Sequence, residues 1–83
     1  MFVLMFYDVG EKRVGKVLKT ARRYLTWIQT SVLEGDLSSA TFEALKADVR
    51  KILDLQYDSV LFYAWRTERY MSREVVGVER GST

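Results

Sequence analysis

The chain opens on an unbroken apolar run, Phe2-Val3-Leu4-Met5-Phe6-Tyr7, closed by Asp8. A run this long, rich in Val and Phe, predicts a strand over residues 2–8 buried on both faces. The period then changes. Val14, Val17, Leu18, Ala21 and Leu25 fall on one face of a helix predicted over 11–25. Lys12, Lys16, Lys19 and Arg23 form a stripe on another face, with Glu11 at the positive end and Arg22 and Arg23 at the negative end. Gly15 lies inside this helix at a cost of about 1 kcal/mol relative to Ala, which suggests a close approach there.

Residues 26–37 are β-branched and aromatic without a helical period. They predict two short strands, 27–29 and 32–37, joined by a tight turn at Thr30-Ser31, with Gly35 marking a bulge. Ser38 or Ser39 can cap a second helix over 39–54, whose apolar face is Phe42, Leu45, Val49, Ile52 and Leu53. Residues 55–57 connect to a strand over 58–65. Residues 66–72 form a polar link to a last strand over 73–79, and a frayed tail follows from Arg80.

The order β-α-β-β-α-β plus one strand is the α+β, ferredoxin-like pattern, read as a single domain over 1–83. Its two helices cover one face of the sheet. Yet the fourth strand alternates Val60, Phe62 and Ala64 with Leu61, Tyr63 and Trp65, so both of its faces are apolar. The uncovered face then exposes too large a patch for a monomer, and a homodimer with two sheets face to face is expected. The last strand could reach the partner's sheet edge, so that residues 67–83 contribute to the dimer.

Composition narrows the chemistry. The chain has 83 residues, with no Cys and no His. That removes thiol nucleophiles, disulfides, imidazole bases and the usual zinc sites. Any catalysis must use carboxylates, hydroxyls, Lys, Arg or a hard metal ion held by oxygen. No secretory leader or membrane span is evident, and a cytoplasmic protein is expected. The net charge of +2 is unevenly spread. Residues 11–25 carry Lys12, Arg13, Lys16, Lys19, Arg22 and Arg23 against the single anion Glu11, a surface suited to phosphate backbones.

Asp8 is the candidate for chemistry. An aspartate after a strand is most often a turn former or helix cap. A single carboxylate also binds Mg²⁺ weakly. A two-fold axis would bring a second Asp8, and two facing carboxylates repel unless a cation sits between them. A shared metal could then activate water against a phosphodiester held by the basic helix.

The chain resembles the CRISPR-associated protein 2 family over nearly its whole length. The resemblance rests on Phe6-Tyr7-Asp8-Val9, a basic segment ending Lys16-Val17, residues 28–35, residues 58–63 and a short strand containing Val75-Val76-Gly77. It implies a ferredoxin-like homodimer in which Asp8 of each protomer is the catalytic and metal-binding residue, around Mg²⁺ or another divalent cation such as Mn²⁺. It implies a metal-dependent endonuclease of RNA or double-stranded DNA, acting in spacer acquisition during antiviral defence. The alternative it implies is a non-catalytic scaffold that holds nucleic acid and bridges dimers of the CRISPR integrase. Val14 and Trp27 stand where many relatives carry Arg, and Leu33 where Phe is common, so two cations near the metal are missing.

Overall fold

The computed structural model describes residues 1–80; residues 81–83 of the expected tail lie outside it. The elements run β1 (Phe2–Asp8), α1 (Glu11–Ala21), β2 (Thr26–Gln29), β3 (Val32–Asp36), α2 (Ser39–Ile52), β4 (Ser59–Trp65) and β5 (Met71–Gly77). One antiparallel sheet carries the strands in the order β2-β3-β1-β4-β5. This is the expected α+β, ferredoxin-like arrangement with one strand added.

β1 lies at the centre, between β3 and β4, which is why its sequence is apolar on both sides. Val3, Met5 and Tyr7 turn to one face. There they meet Leu33, Val60, Phe62, Ala64 and Val76 from the other strands, with Val17 and Ala21 of α1 and Leu45 and Val49 of α2. Phe2, Leu4, Phe6 and Asp8 turn to the opposite face. By register they share it with Leu61, Tyr63 and Trp65 of β4 and Val75 of β5. Aromatic pairs cross it, with Phe6 edge-on to Tyr63 at 6.1 Å and Tyr63 stacked on Trp65 at 6.0 Å. No element among the described residues packs over these rings, so the exposed apolar face expected from the sequence is present.

Four local expectations change. First, α1 stops at Ala21 rather than Leu25. The amides of Arg22 to Leu25 bond back to the carbonyls of Leu18, Thr20 and Ala21, tightening the chain into turns before Thr26 enters β2. Leu25 still reaches the core, so its helical spacing from Val14 was misleading. Second, the bulge falls in β2, between Trp27 and Gln29, while Gly35 pairs in register with Val3. A Cβ at Gly35 would stand 3.0 Å from Leu25 Cδ2, so the bare backbone leaves room for the α1–β2 turn. Third, a Cβ at Gly15 would meet nothing within 4 Å, so no close approach explains that residue.

Fourth, β5 runs from Met71 to Gly77 rather than over 73–79. It pairs along its length with β4, from Ser59↔Gly77 to Trp65↔Met71. The link is a short turn closed by the Arg66 amide on the Tyr70 carbonyl, 3.0 Å, and by Thr67 Oγ1, which accepts from the Arg69 and Tyr70 amides. A turn this tight favours pairing with the adjacent strand. Lys46 of α2 ties β5 further, donating to Glu74 at 2.9 Å while pairing with Glu43 at 2.8 Å. Burial opposes the Lys46 charge, but the two carboxylates outweigh it and raise its pKa. Ser38 caps α2, accepting from the Thr41 amide at 3.1 Å.

Candidate functional site

Asp8 ends β1 on the open face, opposite Ser59. Its side chain is 71% exposed and pairs with Arg80, Nε to Oδ2 at 3.0 Å. Arg80 also donates to the Tyr57 carbonyl. The two line a shallow depression of about 180 Å³ with Phe6, Tyr7, Ser59 and Leu61. Asp8 is therefore not a helix cap. The N-cap of α1 is Gly10, which has no side chain of its own to offer. Arg80, expected in a frayed tail, is instead held at the carboxylate.

The carboxylate that serves the start of α1 is Asp58, 48 residues beyond Gly10. It is fully buried and accepts four N–H bonds. Gly10 N at 2.8 Å and Arg13 Nη2 at 3.0 Å bond Oδ1. Arg13 Nε at 2.6 Å and Asp54 N at 2.8 Å bond Oδ2. The Arg13 guanidinium, against the opposing effect of burial and with help from the Gly10 and Asp54 amides, holds the Asp58 carboxyl well below the usual carboxylate range. Arg13, expected to contact nucleic acid, is placed with its charge paired to Asp58 through a bidentate fork.

Lys12, Lys16, Lys19, Arg22 and Arg23 behave as expected of a surface. All five are exposed, and none forms an ion pair among the described residues. Lys19, Arg22 and Arg23 border a groove of about 440 Å³ floored by Gly15 and Leu18. Lys16, Lys19, Arg23 and Thr20 border a second hollow of about 280 Å³. These grooves lie on the helical side of the sheet and Asp8 on the other. Within one protomer, the basic grooves and Asp8 thus lie on two surfaces of the sheet.

Tyr7 faces the core. Its hydroxyl donates to the Thr30 carbonyl at 2.8 Å, and burial raises its pKa, so it is a packing residue tied to the β2–β3 turn. The sequence reading missed two residues, Asp58 and Arg80. Asp58 left a signal, since an acid opening a wholly apolar strand requires a cation inside the fold. Arg80 left none, because its role depends on how β5 ends.

For a metal, the donor chemistry of Asp8 fits. An exposed carboxylate is the hard oxygen ligand that Mg²⁺ or Mn²⁺ accepts. The number of donors does not suffice in one protomer: among the described residues no group of three or more acidic side chains could hold an ion.

The family model for CRISPR associated protein Cas2 matches residues 1–73. The chain belongs to the Cas2 family. A Cas2 relative from Thermotoga maritima, named a CRISPR-associated endoribonuclease, is 51% identical over 81 residues, covering 98% of this chain and 93% of its own. One of the same name from Dictyoglomus turgidum is 50% identical over 80 residues, covering 96% and 92%. A Cas2 crystal structure superposes with a TM-score of 0.77 at 36% identity over 100% of this chain and 93% of that one. Streptococcus pyogenes Cas2 superposes at 0.72 and 34% identity, covering 78% and 86%. The Cas2 fold was therefore the correct expectation. No helix among the described residues is long and apolar enough to cross a membrane.

Proposed function

We propose that this chain is a metal-dependent nuclease of a CRISPR system, acting as a homodimer in the cytoplasm during spacer acquisition. The observation that carries this reading is an exposed aspartate at the end of an open apolar sheet face, in a chain half identical to proteins named endoribonucleases. Those names favour RNA as the phosphodiester cut, with double-stranded DNA as the other candidate.

Pairing two open faces would bury Phe6, Leu61, Tyr63 and Trp65 and bring the two Asp8 residues toward the axis. Apolar burial on this scale drives association, at roughly 25 cal/mol per Å². In the dimer the two Asp8 carboxylates would hold one Mg²⁺ or Mn²⁺. When bound, such an ion acts as a Lewis acid on a phosphoryl oxygen and generates hydroxide at neutral pH. The chain's own contribution is to fix the carboxylates on a central strand and to exclude water along Phe6 and Leu61.

Cleavage of a defined RNA and a defined duplex DNA by wild type and Asp8→Asn, across Mg²⁺ concentration, tests the proposal. Asp8→Asn should abolish cleavage and leave the dimer intact. Cleavage that survives in homogeneous Asp8→Asn protein overturns it.

The separation of the basic grooves from Asp8 favours a second reading. In it the dimer is a scaffold that bridges CRISPR integrase dimers and holds nucleic acid along α1 without cutting it. Reversing Lys16, Lys19 and Arg23 should then weaken binding and flatten its salt dependence. An unchanged salt slope would count against that surface.

A further inference from the structure

Trp27 has a position that core packing does not explain. By register it faces Leu33, so its side chain lies on the helical side of the sheet, yet 44% of it is exposed. The indole is oriented all the same. Its Nε1 donates to the Thr30 carbonyl at 3.3 Å, the acceptor that also fixes Tyr7. The Arg22 guanidinium lies over the ring, 5.5 Å from its centroid. Arg22 has no ion pair among the described residues, so its outer plane stays open to a ligand.

The platform adjoins the groove bordered by Lys19, Arg22 and Arg23. That groove is floored by Gly15, a helix-weakening residue with open space above it. A mid-helix glycine with nothing packed on it keeps the surface low enough for something to lie across it. Cations along the rim indicate a polyanion, and the indole–guanidinium pair indicates a flat ring.

We propose that Arg22 and Trp27 form a stacking platform for an unpaired base of single-stranded nucleic acid, whose backbone then runs along the α1 groove past Lys19 and Lys16. The proposal rests on the nucleic-acid reading of α1 and adds the pair of residues that would take an unpaired base there. Both planes of a planar π-face accept a base without reading its identity, and Arg guanidinium planes stack on bases as aromatic rings do. Bases within a duplex are already stacked on each other and cannot use such a platform. A duplex would meet the lysines alone.

Fluorescence anisotropy at fixed salt, with a labelled oligouridylate of about twelve nucleotides and a blunt duplex, tests this. Trp27→Leu should weaken single-strand binding by about tenfold and leave duplex binding unchanged, while Trp27→Phe retains most of the single-strand affinity. Gly15→Gln should raise the melting temperature, as a better helix former, yet weaken single-strand binding by filling the groove. Equal losses for both ligands in Trp27→Leu, or no loss for either, overturn the platform. If reversing Lys16 and Lys19 weakens binding while Trp27→Leu does not, the α1 surface stands and the platform falls. If the wild type binds neither ligand, both are overturned.

Discussion

Replacing Asp58 by Asn removes one charge and one acceptor atom while conserving shape, which isolates the clamp at the start of α1. Four N–H groups converge on the carboxylate, two on each oxygen. An amide turned either way presents its NH₂ to two of those donors. One is then a backbone N–H facing a fully buried side chain, and the other belongs to a guanidinium about a third exposed. A buried donor left without an acceptor costs about 1–3 kcal/mol. Since water reaches Arg13, the lower figure applies to it, and the total comes to about 3 kcal/mol. In urea at pH 7 the midpoint should fall by about 2 M for a chain of this size.

Protein concentrations must match, because association adds to apparent stability. Combining Asp58→Asn with Arg13→Gln should show coupling of about 1 kcal/mol or more. The pH dependence has a fixed sign. The folded Asp58 pKa is depressed, so its stabilisation is complete above the unfolded value of about 3.9 and is lost as pH falls below that toward the folded pKa. Asp58→Asn should flatten this acid limb. An Asp58→Asn midpoint within about 0.5 M of wild type would refute the clamp. Arg13→Gln that weakens nucleic-acid binding without changing stability would return Arg13 to the binding surface.

Gly77 has φ of 93°, and an added Cβ would collide with the Asp58 carbonyl, so Gly77→Ala should destabilise by about 2 kcal/mol or more, seen as a lowered melting temperature. Arg80→Gln should change stability by less than about 0.5 kcal/mol, since the Asp8 pair is exposed. It should also lower the Mg²⁺ concentration for half-maximal cleavage, and an unchanged requirement would show that Arg80 does not compete for Asp8. Tyr63→Asp on the open face should convert a dimer into a 9.7 kDa monomer in sedimentation, and a wild type already at that mass would remove the dimer.

The strand and helix order was legible because the central strands carry it in composition. Residues 2–7 and 60–65 are unbroken apolar runs that read as central strands, and the period change at residue 11 marks α1. The end of α1 was not legible, since Leu25 keeps the helical spacing while reaching the core from a turn. Asp8 stood out in the sequence because an acid ends an apolar run. The Arg13–Asp58 pair was not legible, because the position of Arg13 among five other cations gave no sign that Asp58 would claim it. That pairing spans 45 residues and exists only once the sheet has formed. The separation of Asp8 from the grooves was also invisible, because it depends on which way β1 alternates.

The placement of β1 bears on how the chain is made. The central strand β1 leaves the ribosome before both of its neighbours. β3 follows within the first half of the chain, but β4 and Asp58 come in the second. Until they emerge, one long edge of Phe2–Asp8 has no ladder partner, and the start of α1 has no carboxylate to hold it. A nascent chain ending before Asp58 is therefore an unfinished sheet with an open apolar edge, the kind of intermediate that chaperones shield. Closing the sheet on that side of β1 therefore waits for β4 to be made. Pausing of translation in the α2–β4 loop is where aggregation of the nascent chain should concentrate.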